Sequence, residues 1–134
     1  MITLSKEMEI GVEKIDNQHR ELVNKLNAFT AMGAQSISRE ETLKMINHLG
    51  DYVVQHFRDE EALQIKSGYP KFEWHKEQHK ILIDAYQKIK KEFIESGPSP
   101  KFTMDLNRSI VEWVVKHIKS ADAEFGKYYN ANKK

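Results

Sequence analysis

Apolar residues recur along this chain at steps of three and four, the period of one face of an α-helix. Ile15, His19, Leu22, Leu26 and Phe29 mark a first stripe. Ile46, Leu49, Val53, His56, Glu60 and Leu63 mark a second. Phe72, His75, His79, Leu82, Tyr86, Ile89 and Phe93 mark a third, and Phe102, Leu106, Ile110, Trp113 and His117 a fourth. Breakers fall between the stripes: Gly33 to Ser38, Gly68-Tyr69-Pro70, and Ser96-Gly97-Pro98-Ser99-Pro100. The pattern predicts helices over roughly 12–33, 38–66, 70–95 and 100–119, with a short helical C-terminal segment. Ser38-Arg39-Glu40-Glu41 fits a capping box, Ser99 suits a cap, and Pro70 and Pro100 suit first-turn positions. Tyr52-Val53-Val54, the one β-branched cluster, lies inside a helical pattern. Four one-faced helices on short loops predict an all-α, antiparallel up-down-up-down bundle, a single domain over residues 1–134.

These stripes carry residues that do not belong in an apolar core. His19, His56, Glu60, His75, His79 and His117 all fall on them. A lone histidine on such a face is ordinarily a hydrogen-bonded core or boundary residue. Six unpaired polar groups in one small core would cost as much as a domain's whole stability. They must therefore satisfy one another or hold a metal. His48 is off the stripe and reads as a surface histidine.

Spacing and topology point the same way. His56 and Glu60 are four apart, as are His75 and His79, so each pair projects from one helix face. In an up-down-up-down bundle, the start of the first helix, the end of the second, the start of the third and the end of the fourth share one end. All six residues can converge there, on a level roughly ten residues, or ~15 Å, from the end of the bundle. Asp122 follows His117 by five residues, which on a regular helix turns it about 140° away. It joins the set only if the helix loosens into a π-type turn after His117.

Composition narrows the chemistry. The 134 residues suit one domain, with 40% hydrophobic content for a core. Lys+Arg is 21 against Asp+Glu 20, a net charge of +1 that gives no field for nucleic acid or an anionic membrane. Cys is 0, so disulfides, thiolate metal sites and Cys nucleophiles are out. The sequence shows no membrane span and no signal-peptide core, which makes a soluble, cytoplasmic protein the expectation.

Five imidazoles and two carboxylates are too many ligands for one ion and fit two. If both carboxylates and a hydroxide bridge, these three and the five imidazoles fill about eleven of the twelve positions of two octahedral metals. One position, on one metal, stays open. A zinc site usually takes four ligands and would not need this set. The Glu-x-x-His motifs of ferritin-like di-iron bundles are absent, with Glu73-x-x-Lys76 and Glu112-x-x-Val115 in their place.

The order Asp16-Asn17-Gln18-His19, His56-Phe57-Arg58-Asp59-Glu60-Glu61, Gly68-Tyr69-Pro70, His75-Lys76-Glu77-Gln78-His79 and Trp113 through His117 to Asp122 resembles hemerythrin. It is most similar to single-domain bacteriohemerythrins, over nearly the whole chain. The resemblance implies two non-haem iron ions with a bridging oxo or hydroxo group. By position, His75, His79 and His117 would hold the filled iron. His19 and His56 would hold the iron with the open position, and Glu60 and Asp122 would bridge. The implied function is reversible dioxygen binding, as hydroperoxide at the open iron, for O₂ storage, delivery, transport or buffering rather than catalysis. An unidentified protein recipient of O₂ would be its partner. The alternatives are an O₂ or redox sensor acting through a separate partner, or a di-iron oxidase or peroxidase. Such a centre needs a dry pocket, and Leu22, Phe57, Val114 and Ile118 are placed to wall it; ordinary core packing accounts for them equally well. Two residues depart from the family pattern: Leu4 where bacterial members often have Trp, and Phe125 where Tyr is common.

Overall fold

The computed structural model describes residues 8–32, 39–97 and 99–132. The expected cap at Ser38 and the departure at Leu4 lie outside the described residues. Among those described there is no strand. Helices α1 (Glu13–Met32), α2 (Arg39–Ser67) and α3 (Phe72–Ser96) are followed by a fourth helical run over residues 100–131. α1 packs on α2, α2 on α3, and α3 on the fourth run, giving the antiparallel four-helix bundle. No described helix is long and apolar enough to cross a membrane.

Local chemistry sets the helix ends. Ser99 Oγ accepts from Phe102 N–H at 3.0 Å, the N-cap bond of a helix whose first residue is Pro100. Pro70 behaves otherwise. It sits in the turn, Phe72 N–H donates to Tyr69 C=O at 3.2 Å, and α3 begins at Phe72. Gly68 takes the left-handed φ of 70° that this turn needs. The Tyr128 hydroxyl donates to Ser67 C=O and Gly68 C=O and ties the turn to the C-terminal helix.

The fourth run is not a regular α-helix. It comprises α4 (Pro100–Leu106), a π segment Asn107–Val111, α5 (Glu112–His117), a second π segment Ile118–Asp122, and α6 (Ala123–Ala131). The expected C-terminal segment is thus continuous with the fourth helix. One row of its buried residues runs Phe102, Leu106, Ile110, Val114, Ile118 and Asp122, always four apart. On an α-helix five steps of four drift by about 200°. Each π turn absorbs one extra residue, about 100°, so two of them cancel the drift. Val114, rather than Trp113, therefore continues the buried stripe; Trp113 is half-buried.

The core falls into two parts. The larger contains Leu22, Leu26, Phe29, Ile46, Leu49, Val53, Leu82, Phe93 and Ile110. The smaller, at the end of the bundle, gathers Ile10, Val12, Ile15, Tyr69 and Phe125. The segment before α1 crosses α6 so closely that a Cβ on Gly126 would meet the Ile10 carbonyl oxygen at 2.1 Å. Asp16 fixes that segment by accepting from Ile10 N–H at 2.8 Å and Gly11 N–H at 3.1 Å.

Candidate metal centre

Between the two apolar parts lie His19, His56, Glu60, His75, His79, His117 and Asp122, none more than 6% exposed. α1 supplies His19, α2 supplies His56 and Glu60, α3 supplies His75 and His79, and the fourth run supplies His117 and Asp122. The second π segment turns Asp122 back onto the His117 face. His48 is exposed.

The ligand-type atoms form two groups, each within 4.8 Å across. One holds Glu60, His75, His79, His117 and Asp122; the other holds His19, His56 and Asp122. Asp122 belongs to both. Its Oδ1 lies 2.9 Å from His75 Nε2 and from His117 Nε2, and its Oδ2 lies 3.0 Å from His19 Nε2. Glu60 Oε1 lies 3.0 Å from both His75 Nε2 and His79 Nε2.

Close approach does not make these hydrogen bonds. His19 Nε2, His79 Nε2, His117 Nε2, both Asp122 oxygens and Glu60 Oε2 are buried with no hydrogen-bond partner. Only His75 Nε2 is aligned, on Glu60 Oε1. Lone pairs that converge without bonding to one another are what a cation between them would use. The donor set, imidazole and carboxylate without thiolate, fits a borderline divalent metal.

Protonation reflects the same crowding. Burial favours the neutral form of His75, but the Asp122 and Glu60 carboxylates against its Nε2 outweigh it and raise it to about 9. His19 and His79 are also raised: burial opposes the charge, and Asp122 for the one and Glu60 with Glu61 for the other overcome it. His56 is lowered to about 4 by burial and by the neighbouring His19. Burial alone would raise Asp122, yet His117, His19 and His75 hold it well below the carboxylate range. Glu60 is lowered against burial and the Asp122 charge, chiefly by His75 and His79. The site thus keeps its carboxylates ionised and, without metal, holds protons where a metal would sit.

A second layer orients the imidazoles. His56 Nδ1 meets Gln18 Oε1 at 2.7 Å, and Gln18 Nε2 donates to Asp59 Oδ2 at 2.7 Å. His79 Nδ1 meets Glu61 Oε2 at 2.9 Å. Phe57 stacks on His79 with ring centroids 3.8 Å apart, and Trp113 on His117 at 4.4 Å. Burial and nearby Glu124, Glu60 and Asp122 push the Tyr69 phenol up to about 12.

A family model described as the hemerythrin HHE cation binding domain matches residues 10–129. The chain belongs to the hemerythrin family. It is 33% identical to a bacteriohemerythrin of Methylococcus capsulatus over 94% of each chain. It is 27% identical to one of Clostridium acetobutylicum, over 93% of this chain and 98% of that one. A crystal structure of wild-type hemerythrin superposes with a TM-score of 0.81 at 29% identity, over 95% of each chain. Membership in this family and the buried His/Glu/Asp groups together make the centre a metal-binding site.

Leu22, Phe57, Val114 and Ile118 are all buried, at 2 to 3% exposure, in the larger core part beside the centre. Sequence reasoning gave no role to Gln18, Asp59 and Glu61, which stand behind the His56 and His79 rings. It also put Leu63 on the α2 stripe, but Leu63 is half-buried and Gln64 is the fully buried residue. Gln64 is four after Glu60, the same step that joins His56 to Glu60; its polarity hid it.

Proposed function

We propose that the chain binds dioxygen reversibly at two non-haem irons, serving storage, delivery or buffering. The observation that carries this is the asymmetry of the two ligand groups around a shared Asp122. His75, His79 and His117 with Glu60 and Asp122 would hold one iron. His19 and His56 with Asp122 would hold the other and leave it short of a ligand, with room there for a small molecule. When bound, the ferrous pair supplies the electrons that dioxygen draws on and returns on release.

The chain's own residues do the rest. Glu60 and Asp122 would bridge the pair, supplying two negative charges against four positive ones. Gln18 and Glu61 accept the outer N–H groups of His56 and His79 and lock each ring in one tautomer. Leu22, Phe57, Val114 and Ile118 keep water and acids from the open side, so that bound dioxygen is released intact. The chain supports no oxygenation chemistry in this reading: with five neutral imidazoles and two carboxylates it has little anionic charge to stabilise highly oxidised iron.

The test is a visible spectrum of the iron-loaded chain, reduced without air, exposed to O₂, then degassed. A charge-transfer band that arises with O₂ and vanishes on degassing supports reversible binding. A band that decays with release of peroxide or consumption of a reductant would replace this reading with an oxidase or peroxidase. Failure to bind iron would end it.

A further inference from the structure

The five imidazoles of the centre are not equally supported from behind. A ligating imidazole gives one nitrogen to the metal and donates its other N–H to an outer acceptor, which fixes its orientation. His56 and His79 have such acceptors in Gln18 and Glu61. His75 does not. Its Nε2 faces Glu60 and Asp122, while its Nδ1 is buried without a partner among the described residues.

Two further groups at the same end share that condition. Gln64 is 0% exposed, and neither its amide oxygen nor its amide nitrogen has a partner. The Tyr69 hydroxyl is buried and unpartnered as well. The three residues belong to one corner of the fold. Gln64 lies one turn beyond Glu60, on the inward side of α2. Its carbonyl accepts from Tyr69 N–H at 2.9 Å. The Tyr69 ring meets the His75 ring edge-on, with centroids 6.4 Å apart. His19 Nδ1 is also bare, but the turn that joins Gln64 to Tyr69 leads to His75 and not to α1.

Buried polar groups left unpaired are costly, and native interiors satisfy them directly or through internal water. These three make no direct bond to one another, and together they offer donors and acceptors in the number one or two waters need. We propose that Gln64, Tyr69 and His75 Nδ1 enclose an internal water site that supplies the missing outer acceptor of His75. The water accepts from His75 N–H and from the Tyr69 hydroxyl, and donates to Gln64 Oε1. Gln64 and Tyr69 are then positioning residues for a metal ligand they do not touch. Their effect on the metal rests on the function proposed above; the water site itself does not.

The test compares the full chain with Gln64→Leu, Tyr69→Phe and the double variant, each with and without iron. High-resolution crystal structures are expected to place ordered water within hydrogen-bond distance of His75 Nδ1 in both states of the parent, and to lose it in Gln64→Leu. Without metal, the fall in thermal midpoint of the double variant is expected to be smaller than the sum of the single falls, because both side chains act on one water. With iron, both single variants are expected to release it to a chelator roughly tenfold faster. A His75 Nδ1 bonded directly to protein with no water, or additive falls in midpoint, would overturn the proposal. A chain that takes up no iron yet shows the water and the coupling would sink the dioxygen reading and leave this one standing. Reversible O₂ binding with no water present would do the reverse.

Discussion

Asp122 is the residue on which both ligand groups depend. Each of its oxygens faces a different set of imidazoles. Asp122→Ala therefore removes a ligand from both sides at once. We expect elemental analysis of that variant to find less than one metal ion per chain, against about two in the parent. Gln18→Leu acts one layer out, on His56 alone. Its expected effect is about 10–100-fold weaker binding of the second ion, with the first retained, as read by metal titration. Protonation makes its own prediction for the metal-free chain. His75, raised to about 9, stabilises the fold fully below about pH 6.5, the unfolded value, and that contribution is lost as pH climbs through 9. His56, lowered to about 4, stays neutral in the fold while the unfolded form takes a proton, so stability falls as pH drops from about 6.5 towards 4. Asp122 and Glu60, both lowered, add a further loss in acid. The thermal midpoint of metal-free chain should therefore peak near pH 6.5. Metal binding replaces the protons and should abolish the decline between 6.5 and 9; thermal scans with and without chelator would check this.

At the scale of the element, the fourth helix depends on its two π turns. Each holds one residue more than an α-helix needs. Deleting Lys119 from Ile118–Asp122 converts the segment to plain α-helix and leaves the aspartate four residues after His117, on the same face. Deleting exposed Lys80 from regular α3 instead turns Leu82, Ile89 and Phe93 by about 100° out of the core. We expect the first deletion to keep the thermal midpoint within a few degrees and to retain metal, and the second to unfold the chain. Gly126→Ala should cost about 1–3 kcal/mol by pressing a methyl into the Ile10 backbone, read as a lower denaturant midpoint. The sequence made the second π turn legible, because His117 and Asp122 could share a face in no other way. The first was not legible: Asn107–Val111 contains no residue with metal chemistry, and Trp113 three after Ile110 mimicked regular helical spacing. Pro70 misled for a related reason. Its fixed φ suits a tight turn as well as a first helical turn, and the Tyr69–Phe72 bond decided between them.

For the whole molecule, the His/Glu/Asp centre lies between two apolar parts that the same helices hold together. Ile15, Tyr69 and Phe125 close one side and Leu22, Phe57 and Val114 the other. Seven buried polar groups form the layer between them, and, the His75–Glu60 pair apart, their mutual approach without hydrogen bonds makes the metal-free interior expensive. Loading should raise the thermal midpoint by on the order of 10 °C, and chelation should reverse it. Bundle, topology and ligand level could be read in the sequence because His and Glu broke an otherwise apolar period. The supporting layer could not. Gln18, Glu61, Gln64 and Tyr69 are ordinary polar residues by type, and only their position behind a ligand gives them meaning.

Both tryptophans stand against rings of the centre. Trp113 lies flat on His117, with 14° between the rings, whereas Trp74 is 47% exposed. An open-shell ion held by His117 and His75 would quench both, because the Trp74 ring also meets a ligand-type ring, His75, edge-on at 6.3 Å. The intensity of tryptophan fluorescence thus becomes an optical gauge of occupancy built into the chain, readable in a cuvette without any label.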